Sequence, residues 1–332
     1  MEIISDIDRI NIYELENFVS KHPYANFFQS TNALRFFQSL KNYDPLLVVA
    51  YKENKIIGSL LGVVISEGKG LKGHFSRRCI VWGGPIVEMG HPEIWMALIN
   101  EMKKVVCQKA IYIEIRNLKA QNDKIEIVSK LGFQFDEHLN YIVSIHSLDD
   151  ARAGLSKSKK RQINKSLRNG ARIVHAQTIE QVSCFYRILH GLYQEKVKKP
   201  LPAFDFFSRF FCDKSLGVFF LVEFEERIVG GIMCPVYKDT IYEWFVCGLD
   251  GEIKGIYPSV LATWAPIEYA ANNGFKYFDF MGAGKPDQDY GVREFKSKFG
   301  GELVDFGRFV RINKKLQYHV GKVGLEIIKK FN

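Results

Sequence analysis

Two stretches of the chain repeat one hydrophobic pattern. Leu46–Tyr51 and Ile56–Val64 are apolar, β-branched runs joined by the charged turn Lys52-Glu53-Asn54-Lys55. Val218–Phe224 and Ile228–Met233 are joined in the same way by Glu225-Glu226-Arg227. Such runs around a short polar turn predict β-hairpins, each here with a glycine early in its second strand, Gly58 and Gly230. Beyond the first hairpin, apolar residues recur at helical spacing over 92–108 (Ile94, Trp95, Leu98, Met102, Val105, Val106), ahead of a strand over 110–115. Beyond the second they recur over 258–272 (Val260, Leu261, Trp264, Ile267, Ala271), ahead of a strand over 277–280. Leu131-Gly132-Phe133-Gln134-Phe135 is then answered by Phe299-Gly300-Gly301-Glu302-Leu303. Gly58 and Gly230 lie 172 positions apart, Gly132 and Gly300 168, and so constant an offset marks an internal duplication.

The order hairpin, helix, strand, helix, strand resembles the core of the GNAT acetyltransferases. That resemblance implies an α/β (α+β) fold: two tandem GNAT-like acyltransferase domains of mixed sheets flanked by helices. A length of 332 residues agrees, because one hydrophobic core rarely fills so long a chain. The expected division is 1–150, assigned to acceptor binding, and 151–332, which adds a basic linker helix, a helical pair over 179–213 and a C-terminal helix. The linker helix spans 157–168, with a serine cap at its start and Gly170 closing its end. Between 151 and 172 there are eight Lys/Arg residues and no acid. The tail from 314 (Leu316, Val320, Val323, Ile327, Ile328 among five lysines) predicts a basic amphipathic helix, expected to dock on the body rather than lie on a membrane.

Composition narrows the partners. The formal net charge is +9, which favours anionic ligands: nucleic acid, a nucleotide-linked substrate, CoA or an acidic membrane face. The six cysteines are scattered without a C-x-x-C pair, and the eight histidines show no ligand spacing. They read as thiols of a reducing compartment and as no metal site. The start Met1-Glu2-Ile3-Ile4-Ser5-Asp6 has neither the basic nor the apolar region of a secretory signal, and no apolar run approaches about 18 residues. The expected location is cytoplasmic, with the inner membrane face as a peripheral working surface.

Candidate chemistry is densest between Gly274 and Gly301. The strand ending Asp279-Phe280 breaks at Met281-Gly282-Ala283-Gly284, passes the loop acids Asp287 and Asp289, and enters Gly291-Val292-Arg293-Glu294-Phe295-Lys296-Ser297-Lys298-Phe299-Gly300-Gly301. Strand ends followed by glycines are where open α/β sheets bind ligands. This run resembles the late signature of the Fem-type peptidoglycan-bridge aminoacyltransferases, an aspartate-glycine strand end followed by G-x-x-x-F-K-x-x-F-G-G. Tyr257-Pro258, the 157–168 helix, Phe28-Gln29-Ser30 and Ile113–Asn117 also have counterparts there, so the resemblance covers roughly 25–312. Some Fem proteins carry a long helical arm, for which 179–213 is short.

The resemblance implies transfer of an aminoacyl group from aminoacyl-tRNA to an amine of a muramyl-peptide precursor. Charged tRNA would be the co-substrate, with no tightly bound cofactor and no metal. The acceptor would be lipid II or a UDP-muramyl-peptide. Moving an acyl group from an activated ester to an amine needs an unprotonated amine and positive groups near the developing oxyanion. Lys296, placed by the resemblance, is the candidate for carbonyl or phosphate stabilisation, and Asp279 for orienting the amine or taking its proton. Candidate substrate-binding residues are Arg77, Arg78, Trp82, Arg116 and Asn117 in the first half, and Lys160, Arg161, Trp244, Tyr257, Gly282, Arg293 and Phe295 in the second. Arg116 and Asn117 are expected to stand where Gly282 stands in the second half.

Two alternatives stay open. One is acyl-CoA-dependent N-acylation of a cell-surface sugar or lipid precursor. The GNAT pyrophosphate motif Q/R-x-x-G-x-G/A is, however, represented only by Glu252-Ile253-Lys254-Gly255-Ile256-Tyr257, where Gly255 alone fits. The other is a nucleic-acid or tRNA-binding module without catalysis.

Overall fold

The computed structural model describes residues 1–68, 70–89 and 91–321. It divides into two compact units, one of residues 1–137 with the chain's end from 306, the other of residues 138–305. The strands in chain order are β1 (Glu2–Ile4), β2 (Tyr43–Lys52), β3 (Lys55–Ile65), β4 (Arg78–Trp82), β5 (Ile86–Val87), β6 (Tyr112–Arg116) and β7 (Gln134–Asp136). There follow β8 (Leu139–Ser144), β9 (Arg172–His175), β10 (Gly217–Phe224), β11 (Arg227–Tyr237) and β12 (Thr240–Tyr242). The last four are β13 (Phe245–Gly248), β14 (Tyr277–Asp279), β15 (Glu302–Asp305) and β16 (Arg308–Ile312).

Both predicted hairpins form. Their two central turn residues, Glu53 and Asn54 in one and Glu225 and Glu226 in the other, all have positive φ. That is the backbone of the tight turn whose twist suits antiparallel strands. Each hairpin shifts register at the same station, between Ala50 and Tyr51 and between Val222 and Glu223. The duplication is therefore preserved down to a β-bulge.

The first sheet runs β1-β2-β3-β4-β6-β16-β7, with β5 on β3. The second runs β15-β8-β14-β12-β11-β10-β9, with β13 on β11. The two orders match position for position except in provenance. Strand β16 lies between β6 and β7, although it comes from the end of the second half. Strand β8 lies between β14 and β15, although it comes from the end of the first. The expected boundary at 150 is thus corrected: the chain leaves the first unit at 137 and returns at 306. Local pattern cannot distinguish the two pairings, because an amphipathic strand fits either equivalent slot.

Helix Pro92–Val106 lays Ile94, Trp95, Leu98, Ile99, Met102 and Val106 on the first sheet, against Val81, Ile113, Ile115 and the exchanged Phe309. In the second unit helix Pro258–Asn272 packs on β10, β11 and β13 and is covered by helices Leu148–Gly154 and Lys157–Arg168. Its ten buried residues follow from that double cover. The helical pair forms as Ile179–Leu192 and Phe204–Cys212, the former extended by a wide turn over Tyr193–Val197. Of the predicted C-terminal helix, 315–321 is helical, while Val323, Ile327 and Ile328 lie outside the described residues. No described helix is long and apolar enough to cross a membrane.

Candidate active site

In the second unit β12 and β14 run parallel over Thr240–Tyr242 and Tyr277–Asp279. The last bond between them is from the Glu243 N–H to the Asp279 carbonyl, 2.8 Å. After it the strands part, since β13 pairs with β11 and the Phe280 N–H turns to the Tyr141 carbonyl on β8. Lys296, on the short helix Gly291–Ser297, reaches back to this point of divergence. Its ammonium donates to the Phe280 carbonyl (2.7 Å), the Gly282 carbonyl (2.9 Å) and Glu243 Oε1 (2.8 Å).

The cluster is dry: Lys296 is 8% exposed, Glu243 5% and Asp279 3%. All three lysine donors are occupied. The second Glu243 oxygen, Oε2, is buried with no hydrogen-bond partner among the described residues. An orphaned carboxylate oxygen in a dry site costs on the order of 1–3 kcal/mol or more, and of the buried side-chain atoms without a partner among the described residues this is the one that belongs to a carboxylate.

Asp279 serves the turn that follows it. Its Oδ1 accepts from Asn140 Nδ2 (2.7 Å) and from the Met281 N–H (2.7 Å), while Asn140 Oδ1 accepts from the Gly282 N–H (2.7 Å). Met281 and Gly282 have φ of 58° and 134°, so this turn leaves the usual region and is held there by Asp279, Asn140 and Lys296. Burial pushes the Asp279 carboxyl above the ordinary range, against the bonds from Asn140 and Met281.

Of the residues singled out in the sequence, Lys296, Asp279 and Gly282 meet here, with Trp244 adjacent to Glu243 in the chain. Trp244 packs on Phe206 and Phe210 of the helical pair, ring centroids 4.9 and 6.2 Å away. Arg293 points elsewhere. Its guanidinium donates to the carbonyls of Ala283, Lys285, Pro286 and Gln288 and braces that loop. Phe295 supports Lys159, whose ammonium lies 3.9 Å from the ring centroid. Tyr257 caps helix Pro258–Asn272, and its N–H donates to Ser166 Oγ (3.0 Å). Lys160 is half-buried and donates to the Ala153 carbonyl, whereas Arg161 is exposed.

The first-unit candidates form another arrangement. Trp82 stacks on Phe28 and Phe37, and the Arg116 guanidinium lies 5.7 Å from its ring centroid. Arg116 and Arg308 flank the buried Glu114. Despite its desolvation, these two arginines hold that carboxyl down at about 2. Arg78 pairs with Glu67, Asn117 donates to the Phe306 carbonyl (2.9 Å), and Arg77 is exposed. The expected match of Arg116 and Asn117 with Gly282 is corrected by register. The Gly83 N–H bonds the Arg116 carbonyl just as the Glu243 N–H bonds that of Asp279, so Arg116 corresponds to Asp279.

Glu243 and Asn140 were missed in the sequence. A lone acid inside the apolar run Thr240–Cys247 was a signal for the first. Asn140 could not be found, because residues 139–144 fall within the expected first division, 1–150, and join the second sheet only through long-range pairing. Among the described residues no group of three or more His, Cys, Asp or Glu could hold a metal ion.

Residues 155–297 match the family described as Acetyltransferase (GNAT) domain. Along nearly its whole length the chain is similar in fold to FemX, with 14% identity, 96% of this chain and 99% of that one covered, and a TM-score of 0.72. It is similar to a tandem GNAT protein from the clavulanic acid biosynthesis pathway, at 10% identity, 94% and 98% coverage and a TM-score of 0.59. It is also similar to L-PGS from Bacillus licheniformis, at 17% identity, 94% and 96% coverage and a TM-score of 0.58. No curated protein sequence matches it. Residues 155–297, in the second unit, are therefore a GNAT acetyltransferase domain, and the chain as a whole has the tandem fold seen in FemX and in the tandem GNAT protein.

Proposed function

We propose that the protein transfers an aminoacyl group from aminoacyl-tRNA to an amine on the peptide of a peptidoglycan precursor. The observation that carries the chemistry is the buried Glu243–Lys296 pair with its unpartnered carboxylate oxygen. As the amine nitrogen bonds to the ester carbonyl carbon, Glu243 Oε2 takes its proton, and the proton passes to the ribose oxygen of the tRNA as the ester C–O bond breaks. Lys296, with all its donors engaged, acts through its charge and by fixing Glu243, so it offsets negative charge as the ester carbonyl becomes tetrahedral. Asp279 and Asn140 position the turn beside the Glu243–Lys296 pair. Trp244, beside Glu243, lies against the acyl group. In the first unit, Arg77 and the Arg116–Trp82 pair are the residues assigned to the acceptor, whose diphosphate suits arginine.

The choice of donor rests on the loop ahead of helix Pro258–Asn272. A CoA pyrophosphate would need free N–H groups at that helix start. Asp250 Oδ1 already accepts from the Ser259 N–H (3.2 Å), and Ser166 Oγ accepts from Tyr257. An internal carboxylate at the anion position disfavours CoA and leaves aminoacyl-tRNA, the donor implied by the Fem-type signature.

The test is label transfer by the purified protein onto lipid II and onto its nucleotide precursor. One arm supplies a mixed pool of charged tRNA, the other a panel of acyl-CoAs. Product in the tRNA arm alone is expected. Product in the CoA arm alone would replace this reading by CoA-dependent N-acylation, and product in neither, with tRNA bound, would leave a binding module.

A further inference from the structure

Helix Lys157–Arg168 divides its residues sharply between two faces. Lys159, Ile163 and Ser166, at i, i+4 and i+7, are buried. Lys157, Arg161, Lys165 and Arg168, at i, i+4, i+8 and i+11, form an exposed stripe along the other face. Among the described residues none of these four cations has an ion pair. The two neighbours outside the helix do: Arg152 pairs with Glu268 and Arg172 with Glu223. At about 1.5 Å per residue the stripe is about 16 Å long, room for several phosphates of a nucleic-acid strand where a diphosphate would fill one end.

The helix is fastened beside the loop where a GNAT domain would receive donor phosphates. Ser166 Oγ accepts from the Tyr257 N–H, and Asn169 Nδ2 donates to the Gly255 carbonyl (3.3 Å). A Cβ built on Gly255 would lie 3.1 Å from Lys165 Cε and 3.6 Å from its ammonium. The loop's own anion position holds Asp250, as described above. The exposed cations therefore stand on a helix that lies directly against this loop.

We propose that the Lys157–Arg161–Lys165–Arg168 stripe is the contact for the sugar-phosphate backbone of the RNA donor; the inference rests on the aminoacyl-tRNA reading. An anionic membrane is the less suitable partner. A helix lying in a lipid interface needs an apolar face turned to the lipid, and here the apolar face is packed inside with only Leu167 exposed among large apolar residues. Backbone contact of this kind is sequence-independent and weakens steeply with salt.

The experiment titrates the full-length protein into fluorescently labelled, uncharged tRNA at several salt concentrations. Three proteins are compared: wild type, Lys157→Gln/Arg161→Gln/Arg168→Gln, and a control with the same charge loss on the first unit, Lys21→Gln/Lys41→Gln/Lys55→Gln. Lys165 is left intact because it packs by Gly255. The helix variant is expected to bind at least about 10-fold more weakly, its slope of log affinity against log salt shallower by roughly 2–3, while the control follows wild type. Equal affinity and slope for the helix variant would overturn the proposal and leave the donor reading standing. Equal losses in the two variants would also overturn it, as an effect of net charge. No tRNA binding by the wild type, with acetyl-CoA bound in calorimetry, would remove both. Phosphatidylglycerol vesicles provide a last arm: if the helix substitutions abolish vesicle binding and spare tRNA, the stripe is a membrane contact.

Discussion

Gly83 and Glu243 occupy the same backbone station in the two units, each closing the parallel strand pair with a 2.8 Å bond to the partner strand. What surrounds them differs. In the first unit the chain continues as Gly83-Gly84-Pro85, with φ of 84° and 74° at the two glycines, and a Cβ on Gly83 would fall 2.2 Å from Asn26 Nδ2. No side chain fits there. The gap between β3 and β4 is filled by Gln29, which accepts from the Leu61 N–H and donates to the Leu61 and Trp82 carbonyls at 2.8–2.9 Å. In the second unit the corresponding β11 carbonyl, that of Met233, is met by the Trp244 N–H, and the station carries Glu243 with an oxygen to spare. In one copy of the duplicated fold this station is closed, and in the other it carries the buried carboxylate proposed above as the proton acceptor. On the proposed function, the chemistry turns on which residue stands at the divergence of two strands, and the architecture alone does not decide it.

The contrast can be broken most directly at Glu243. Glu243→Gln keeps the shape and the bond to Lys296 and removes the proton acceptor. Label transfer per folded molecule is expected to fall by about 10²–10⁴-fold, with a lowered melting temperature because Lys296 loses its counter-charge, and wild-type rates would end the assignment. Lys296→Ala next leaves Glu243 as an uncompensated buried charge and frees two carbonyls. A loss of about 3–5 kcal/mol in urea unfolding is expected, with Lys296→Ala/Glu243→Leu recovering part of it.

In the first unit the corresponding lesion is structural. Gln29→Leu orphans one N–H and two carbonyls in a dry gap and should cost roughly 2–4 kcal/mol, while transfer per folded molecule stays at the wild-type level. A large loss of specific activity would show that the first copy also takes part in the chemistry.

Charge separates the units as well. Glu114, held at about 2 from an ordinary 4.5, contributes stability that is fully present above the ordinary value and is lost as pH falls toward 2. An acid limb of about 2–3 kcal/mol is expected in melting-temperature scans, and Glu114→Gln should flatten it. Lys159 has the opposite sign. Burial, aided by Lys298, lowers its ammonium from 10.5 to about 8, so the charge opposes folding at neutral pH and stability rises as pH climbs from about 8 to 10.5. Lys159→Met should stabilise the second unit by about 1 kcal/mol at pH 7, with the gain shrinking at pH 10. No gain would mean that an anion or a rearrangement compensates the lysine.

Much of this was legible in the residues. Both hairpins, the helices at 92–106 and 258–272, and the capped helix at 157–168 are dictated by local pattern, and they appear where the pattern puts them. Lys296 and Gly282 were found through a run of residues that resembles a known signature. Arg293 came from the same run, yet it braces a loop, because a sequence motif does not say which way a side chain points. Glu243 was passed over since a single acid in a strand has no periodicity to betray it. Its significance comes from a lysine 53 positions later in the chain.

By itself the sequence determined the duplication, the order of elements in each copy and the cationic stripe of one helix, since these depend on neighbours within a few residues and on repeated spacing. Tertiary structure alone decided that β8 and β16 are exchanged between the sheets, that Glu243 stands where Gly83 does, and that Lys296 spends its donors inside the fold. Those are contacts between residues far apart in the chain. Their energies come from desolvation and hydrogen-bond pairing in a packed interior, which no local pattern encodes.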